Sequence, residues 1–114
     1  MGKSNLLGAW GEALAAEYLK KKRYQILATN YRTRFGEIDI IAKDGEFTVF
    51  VEVKYRHNNE FCEPAETVTE CKLKRITKTA KDYISKHGDD YYRFDAVCFT
   101  GDNIDHLKNI SYFE

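Results

Sequence analysis

Charged side chains interrupt two strongly apolar strand patterns in the segment GEIDIIAKDGEFTVFVEVKYR, residues 36–56. Asp39 lies in the first pattern, and Glu52 and Lys54 lie in the second. Ionised groups in a buried sheet are costly unless they pair with one another or bind a cation. Two carboxylates and an amine at one place are suited to metal-assisted hydrolysis of a phosphodiester bond.

The geometry of a hairpin brings these groups to one face of the sheet. The dipeptide Asp44-Gly45 is a strong hairpin signal, and a two-residue loop there would place Glu37 opposite Glu52. Asp39 and Glu52 would then be diagonal neighbours on the same face, with their Cβ atoms roughly 7 Å apart. A one-residue shift would move one of them to the other face and destroy the site.

A third carboxylate, Glu12, is predicted to reach the same place from a helix over residues 6–22. At 100° per residue, Glu12 points to the same side as Ala15 and Leu19, which should pack on the sheet. A lone carboxylate there must be paired, protonated or bound to a metal. Oxygen ligands favour Mg²⁺ or Mn²⁺, and Lys54 could orient the attacking water or stabilise charge on the phosphate.

Each of these side chains also has a purely structural interpretation. Asp39 and Glu52 could form a buried salt bridge with Lys54, since buried charges are commonly paired. Glu37 is more typical of a solvated acid at a strand edge than of a group that supports a site. Lys72 could extend along an apolar surface to reach water, or it could contact a phosphate.

The elements that must position these groups are predicted in the order helix, three strands, helix, and one or two strands. The length of 114 residues suits one compact domain over residues 1–114. The second helix is predicted to end near residue 86, with Gly88 as its C-cap. This order gives an α/β fold of the α+β kind, in which helices flank a small mixed sheet.

The composition gives no overall basic footprint, since 18 Lys and Arg balance 18 Asp and Glu. Attraction to nucleic acid would therefore have to be local. A basic rim of candidate nucleic-acid contacts near the proposed site comprises Arg32, Arg34, Arg56, Lys72 and Arg75.

The cysteine spacing and the lack of a long apolar segment predict a cytoplasmic protein. Three widely spaced cysteines with no CxxC pair indicate free thiols in a reducing cytoplasm, and no segment resembles a membrane span. The three histidines are scattered and are predicted at the surface. Asp95 is expected to form a salt bridge with Arg93 or another neighbour.

A family resemblance adds to these expectations. The residues GEID followed by VFVEVKYR resemble the PD-(D/E)xK nuclease signature, as Asp39 and then Glu52-Val53-Lys54. More closely, WGEALAAEYL, GEIDIIA, VFVEVKYR, ETVTECKLKRI and YRFDAVCFTG resemble, in this order, the YraN-like family of small bacterial proteins. The family is similar to archaeal Holliday-junction resolvases and has a restriction-endonuclease-like fold.

The resemblance implies a role for each matching position. Asp39 and Glu52 would be the metal ligands, Lys54 the catalytic lysine and Glu12 the helix carboxylate, while Lys72 matches a basic position that faces the site in related nucleases. The implied function is a Mg²⁺- or Mn²⁺-dependent endonuclease acting on branched or nicked DNA. Related resolvases are homodimers, and an apolar edge after Phe99 could serve that contact.

Two other functions are compatible with the same residues. A non-catalytic module would bind nucleic acid or a recombination protein and keep the acids as a structural network. A hydrolase of small phosphate esters is less favoured, because nothing in the sequence resembles a nucleotide-binding loop.

Overall fold

The computed structural model describes the backbone of residues 3–56, 70–88, 91–101 and 103–110, and the side chains of residues 11–55, 74–88, 91–101 and 103–110. The elements follow the predicted order. They are α1 (Lys3–Lys21), β1 (Gln25–Thr33), β2 (Gly36–Asp44), β3 (Phe47–Arg56), α2 (Glu70–His87), β4 (Tyr92–Thr100) and β5 (Asn103–Leu107).

The strands form one five-stranded mixed sheet in the order β1-β2-β3-β4-β5. Only β3 and β4 run parallel; the other neighbouring pairs are antiparallel. A parallel pair needs a long crossover connection, and α2 lies in the segment between β3 and β4. The predicted α+β fold class, with a mixed sheet flanked by helices, is confirmed.

A helix covers each face of the sheet. On one face, Ala15 and Leu19 of α1 pack with Ile40, Val51 and other residues of the sheet. On the other face, a second cluster joins α2 to the sheet; its buried members are Ile38, Ile41, Phe50, Ile76, Ala80, Tyr83 and Phe94. Apolar residues of β2 and β3 are thus buried on both sides, which is why these strands are almost continuously hydrophobic.

The β2–β3 hairpin differs from the predicted register. Its loop is Gly45-Glu46, with Gly45 at φ +60°, which fits the first central position of a type II′ turn. Ile41 therefore pairs with Phe50, and the predicted pairing of Glu37 with Glu52 is wrong. The loop lies one residue further along the chain than predicted, and the observed register still brings Asp39 close to Glu52, one step beyond the last pair.

Close approach of α2 to the start of β2 explains Gly36. A Cβ atom at Gly36 would lie 3.0 Å from Cβ of Arg75 and 3.4 Å from Oγ1 of Thr79. The first of these atoms is held by the helix backbone, so a side chain at this position would push α2 away from the sheet.

We expect Gly36→Ala to destabilise the fold by about 1–3 kcal/mol, because the inserted methyl group overpacks this contact. Thermal unfolding followed by circular dichroism measures the effect. Gly11→Ala is the matched control, since a Cβ there would meet its nearest neighbours at an ordinary 3.7 Å and 3.8 Å. An equal loss of stability in both variants would contradict this account of Gly36.

Asp95 is the centre of a buried polar cluster beneath α1. It accepts hydrogen bonds from Nε of Arg93 at 3.0 Å and from the backbone N–H of Asn109 at 3.0 Å, and it lies 2.7 Å from Nε2 of His106. The predicted salt bridge to Arg93 is confirmed. The prediction that His106 lies at the surface is wrong, because its side chain is only 5% exposed.

The cysteine and membrane expectations have different outcomes. Cys98 is fully buried and disulfide-bonded, so the expectation of free thiols is wrong for this residue. Within the described ranges, neither helix is long and apolar enough to cross a membrane.

Candidate active site

The candidate site lies where β2 and β3 separate. Their ladder ends at the pair Ile40 and Val51, although each strand keeps its outer neighbour beyond that point. The next N–H group of β3 that faces β2, that of Val53, donates instead to Oδ2 of Asp39 at 2.8 Å. A side chain therefore replaces the backbone as the partner, and the sheet forks around it.

Asp39 and Glu52 stand at this fork. One step beyond the last pair, the register would set them opposite each other, closer than the diagonal placement that the sequence predicts. Glu52 is only 9% exposed. Burial raises the pKa of Asp39 to about 7, with the negative charge of Glu52 as the second cause; the N–H of Val53 opposes both. Two carboxylates of this kind repel each other unless a proton or a cation lies between them.

Glu12 approaches from α1. Gly11, the residue before Glu12, lies close to the end of β3. A Cβ at Gly11 would lie 3.8 Å from Val53. Burial raises the pKa of Glu12, and the charges of Glu37 and Glu52 act in the same direction. Glu12 in turn raises the pKa of Asp39, so the three predicted acids interact electrostatically.

Asn30 is a site residue that the sequence analysis missed. Its side chain hydrogen-bonds Glu12, and this bond opposes the rise in the pKa of Glu12. Asn30 has a left-handed φ of 52°, which asparagine tolerates better than most residues. Its neighbours Thr29 and Tyr31 pair with Ile40 and Ile38 of β2, so Asn30 stands opposite Asp39. An asparagine inside a strand pattern is unusual, and that was the available signal.

Lys54 follows Glu52 by two residues on β3, so both side chains leave the same face of the strand. Lys54 is half-buried and lies beside Cys98 of β4 in the parallel ladder. Strand alternation thus places Lys54 beside Glu52 on one face of β3.

The structure describes the side chains of three of the five residues in the predicted basic rim. Arg32 is 76% exposed at its side chain and pairs with Glu37 through Nε and Oε2 at 2.6 Å, and its charge also acts on Glu12. Arg75 is exposed on α2 beside Gly36. Arg34 lies at the β1–β2 turn, 5.0 Å from the ring of Phe35.

The two other rim candidates are placed only by their backbone. Arg56 ends β3 and Lys72 lies in the first turn of α2, while their side chains lie outside the described set. Among the rim candidates with described side chains, Arg32, Arg34 and Arg75 are all exposed, and Arg32 is partly neutralised by Glu37.

The donor set at the fork fits a hard divalent cation. Asp39, Glu52 and Glu12 offer oxygen atoms, which Mg²⁺ and Mn²⁺ prefer. Among the described side chains, no group of three or more His, Cys, Asp or Glu residues is arranged to hold a metal. Mg²⁺ is usually held by one or two carboxylates together with water, so the pair Asp39 and Glu52 is a sufficient protein contribution.

A forked mixed sheet between two helices, with Asp39 on one branch and Glu52-Val53-Lys54 on the other, defines a restriction-endonuclease-like core. The model of the uncharacterised protein family UPF0102 matches residues 11–99, and the chain belongs to this family. It is the YraN-like family named from the sequence motifs, so that identification is confirmed.

Two relatives show how far the likeness extends. A UPF0102 protein of Thermodesulfovibrio yellowstonii is 46% identical over 104 residues, which cover 90% of this chain and 93% of that protein. A UPF0102 protein of Clostridium botulinum strain Loch Maree is 47% identical over 94 residues, covering 80% of this chain and 76% of that protein.

Proposed function

We propose that this protein is a metal-dependent endonuclease that hydrolyses phosphodiester bonds of nucleic acid, with branched or nicked DNA as its substrate. The observation that carries the proposal is the fork between β2 and β3, where Asp39 and Glu52 meet and the pKa of Asp39 rises to about 7. A structural salt bridge would hold such an acid ionised, whereas here burial and a second carboxylate work against its charge.

Each residue of the site has a role in this proposal. Asp39 and Glu52 hold Mg²⁺ or Mn²⁺, which, when bound, acidifies a water molecule and neutralises charge on the phosphate. Lys54 orients the attacking water and stabilises the charge that develops on the phosphate oxygens. Glu12 accepts a hydrogen bond from the water shell, with its own carboxylate held in place by Asn30.

Nucleic acid is the proposed partner because exposed cations lie near the candidate site. Arg32 acts electrostatically on Glu12, and Arg75 lies over Gly36, the residue before Glu37. These contacts would position a phosphate backbone and carry no base specificity. The homodimer and the cytoplasmic location stay predictions; sedimentation of the chain with and without DNA tests the first.

The decisive experiment is a cleavage panel of four-way junction, nicked, linear and single-stranded DNA, each with Mg²⁺, with Mn²⁺ and with EDTA. We expect cleavage of the branched or nicked substrates only when a divalent cation is present. A matched RNA panel distinguishes the two nucleic acids. Absence of cleavage on every substrate, with both cations, would contradict the proposal.

One observation favours a second candidate, the non-catalytic module. The described side chains contain no group of three metal-ligating residues arranged around one point. In that case junction DNA should bind in EDTA, and Asp39→Ala should leave its affinity unchanged. Mn²⁺ binding that is lost in Asp39→Ala would favour the enzyme.

A further inference from the structure

A pocket of about 390 Å³ opens on the side of α1 that faces away from Glu12. It is lined by Leu14, Glu17, Tyr18 and Lys21 of α1, by Tyr55 and Phe99 of the sheet, and by Gly101 and Ile104. The size falls in the range of small-ligand sites, and the mixture of apolar walls with few polar groups is typical of them. The proposed catalytic residues do not line it.

Aromatic rings form part of the pocket wall. Tyr55 stacks on Phe99 with ring centroids 5.9 Å apart and planes at 29°. Tyr55 is nevertheless 43% exposed, so a face or edge of this ring remains available to a planar ligand. Aromatic side chains presented in this way bind nucleobases by stacking, whatever their sequence.

The hydroxyl group of Tyr18 is fixed by the buried cluster around Asp95. Nδ1 of His106 lies 3.3 Å from the Tyr18 oxygen, and Nε2 lies 2.7 Å from Asp95. Asp95 also accepts from the Arg93 guanidinium, so it acts as a carboxylate and its imidazole neighbour must donate from Nε2. Nδ1 of the same ring contacts the Tyr18 hydroxyl group, and this contact holds the Tyr18 side chain in place at the pocket.

Basic residues border the same pocket. Lys21 lines it, and Nζ of Lys22 lies 5.6 Å from the centre of the Tyr18 ring. The one acid in the lining, Glu17, lies 3.6 Å from Nζ of Lys20 and is partly neutralised by it. The basic run at the end of α1 thus adds positive charge beside an aromatic pocket, a combination that suits a base with its phosphate.

We propose that this pocket binds a single unpaired nucleobase of the substrate, with its phosphate held by Lys21 and Lys22. The inference rests on the proposed function, because it assumes that the chain binds nucleic acid. Tyr55 follows Lys54 directly on β3 and so leaves the opposite face of the strand. A Cβ at Gly11, which precedes Glu12, would lie 3.7 Å from the Tyr55 ring. The pocket and the catalytic site therefore border the two faces of the same end of β3.

A base must leave its stack to enter such a pocket, and this costs least where the base is mismatched, bulged or beside a nick. The pocket thus supplies a physical reason for a preference for branched or nicked DNA.

The test compares two duplexes that differ at one position, a bulged adenosine or an abasic site in its place. Affinities are measured in EDTA, so that cleavage plays no part. We expect the parent to bind the bulged adenosine about 5- to 100-fold more tightly than the abasic duplex, the range typical of one stacked base. Tyr55→Ala should remove this preference, and Tyr91→Ala, which truncates another exposed tyrosine, should retain it.

Lys21 provides an independent check on the phosphate contact. Lys21→Ala should weaken both duplexes equally and lower the salt dependence of binding, while Lys81→Ala on the exposed face of α2 should not. Since Tyr55 packs on Phe99, Tyr55→Leu serves as a second variant that keeps apolar bulk without an aromatic face. It should also lose the preference.

The outcomes test base binding in the pocket independently of the proposed nuclease activity. Equal affinity of the parent for both duplexes, or an unchanged preference in Tyr55→Ala, overturns the pocket even if the bulged duplex is cleaved with Mg²⁺. A preference that depends on Tyr55, without cleavage, supports the pocket and contradicts the nuclease. A dimer that dissociates in Tyr55→Ala, with no preference for the base, would assign the pocket to a contact between copies and overturn the inference.

Discussion

Replacing Glu52 with glutamine should lower the rate of metal-dependent cleavage by about 100-fold or more, and Lys54→Ala should have an effect of similar size. Glu52 is nearly buried at the strand fork, so its charge has little solvent screening and acts strongly on a bound cation. Removing one group that stabilises a developing charge in such an environment typically costs roughly 10²–10³ in rate. Single-turnover cleavage of a nicked or branched duplex measures both effects.

Matched variants show whether these losses belong to the site. Glu46→Gln removes a carboxylate from the exposed turn of the same hairpin, and Lys81→Ala removes an exposed amine from α2; both should cleave as the parent does. Lys54→Arg should not restore activity fully, because a planar guanidinium differs from an ammonium in size and geometry. Parental rates in Glu52→Gln and Lys54→Ala would show that chemistry occurs elsewhere.

The proximity of Asp39 and Glu52 could be predicted from sequence because a displacement of the hairpin loop by one residue leaves these two positions close together. The observed register, continued one step beyond its last pair, sets Asp39 opposite Glu52 instead of diagonal to it. Gly45 with either neighbour satisfies a hairpin signal, so local turn preferences could not fix which residue followed it. The helix position of Glu12 was predictable for the same kind of reason, since its neighbours Ala15 and Leu19 are buried.

Irregular backbone conformations and contacts between residues far apart in the chain could not be predicted from the sequence. Regular alternation along a strand would put Ile38 on the face of Ile40, but Ile38 packs with the α2 cluster and Ile40 with α1, so β2 departs from alternation next to Asp39. On β1, Asn30 reaches Glu12 from a left-handed backbone that no periodicity reveals. The burial of His106 could not be predicted, because it is the pairing of β4 with β5 that brings this residue to Asp95.

The raised pKa of Asp39 has a consequence for stability that is independent of any substrate. Burial, aided by the charge of Glu52, raises the pKa of Asp39 from 3.8 to about 7. The folded chain thus holds this proton more tightly than the unfolded chain does. Its contribution to stability is fully present below about pH 4 and is lost as the pH rises through about 7.

Asp39→Asn, which stays uncharged but can still accept the Val53 N–H, should therefore gain stability relative to the parent as the pH rises. We expect little difference at pH 4 and a gain of about 1–3 kcal/mol at pH 8, from urea unfolding at each pH. Mg²⁺ should stabilise the parent at pH 8 more than at pH 5, because binding requires the ionised carboxylate, and should not stabilise Asp39→Asn. A difference between parent and variant that does not change with pH would place Asp39 in a pairing that keeps it ionised, and the fork would then be a structural salt bridge.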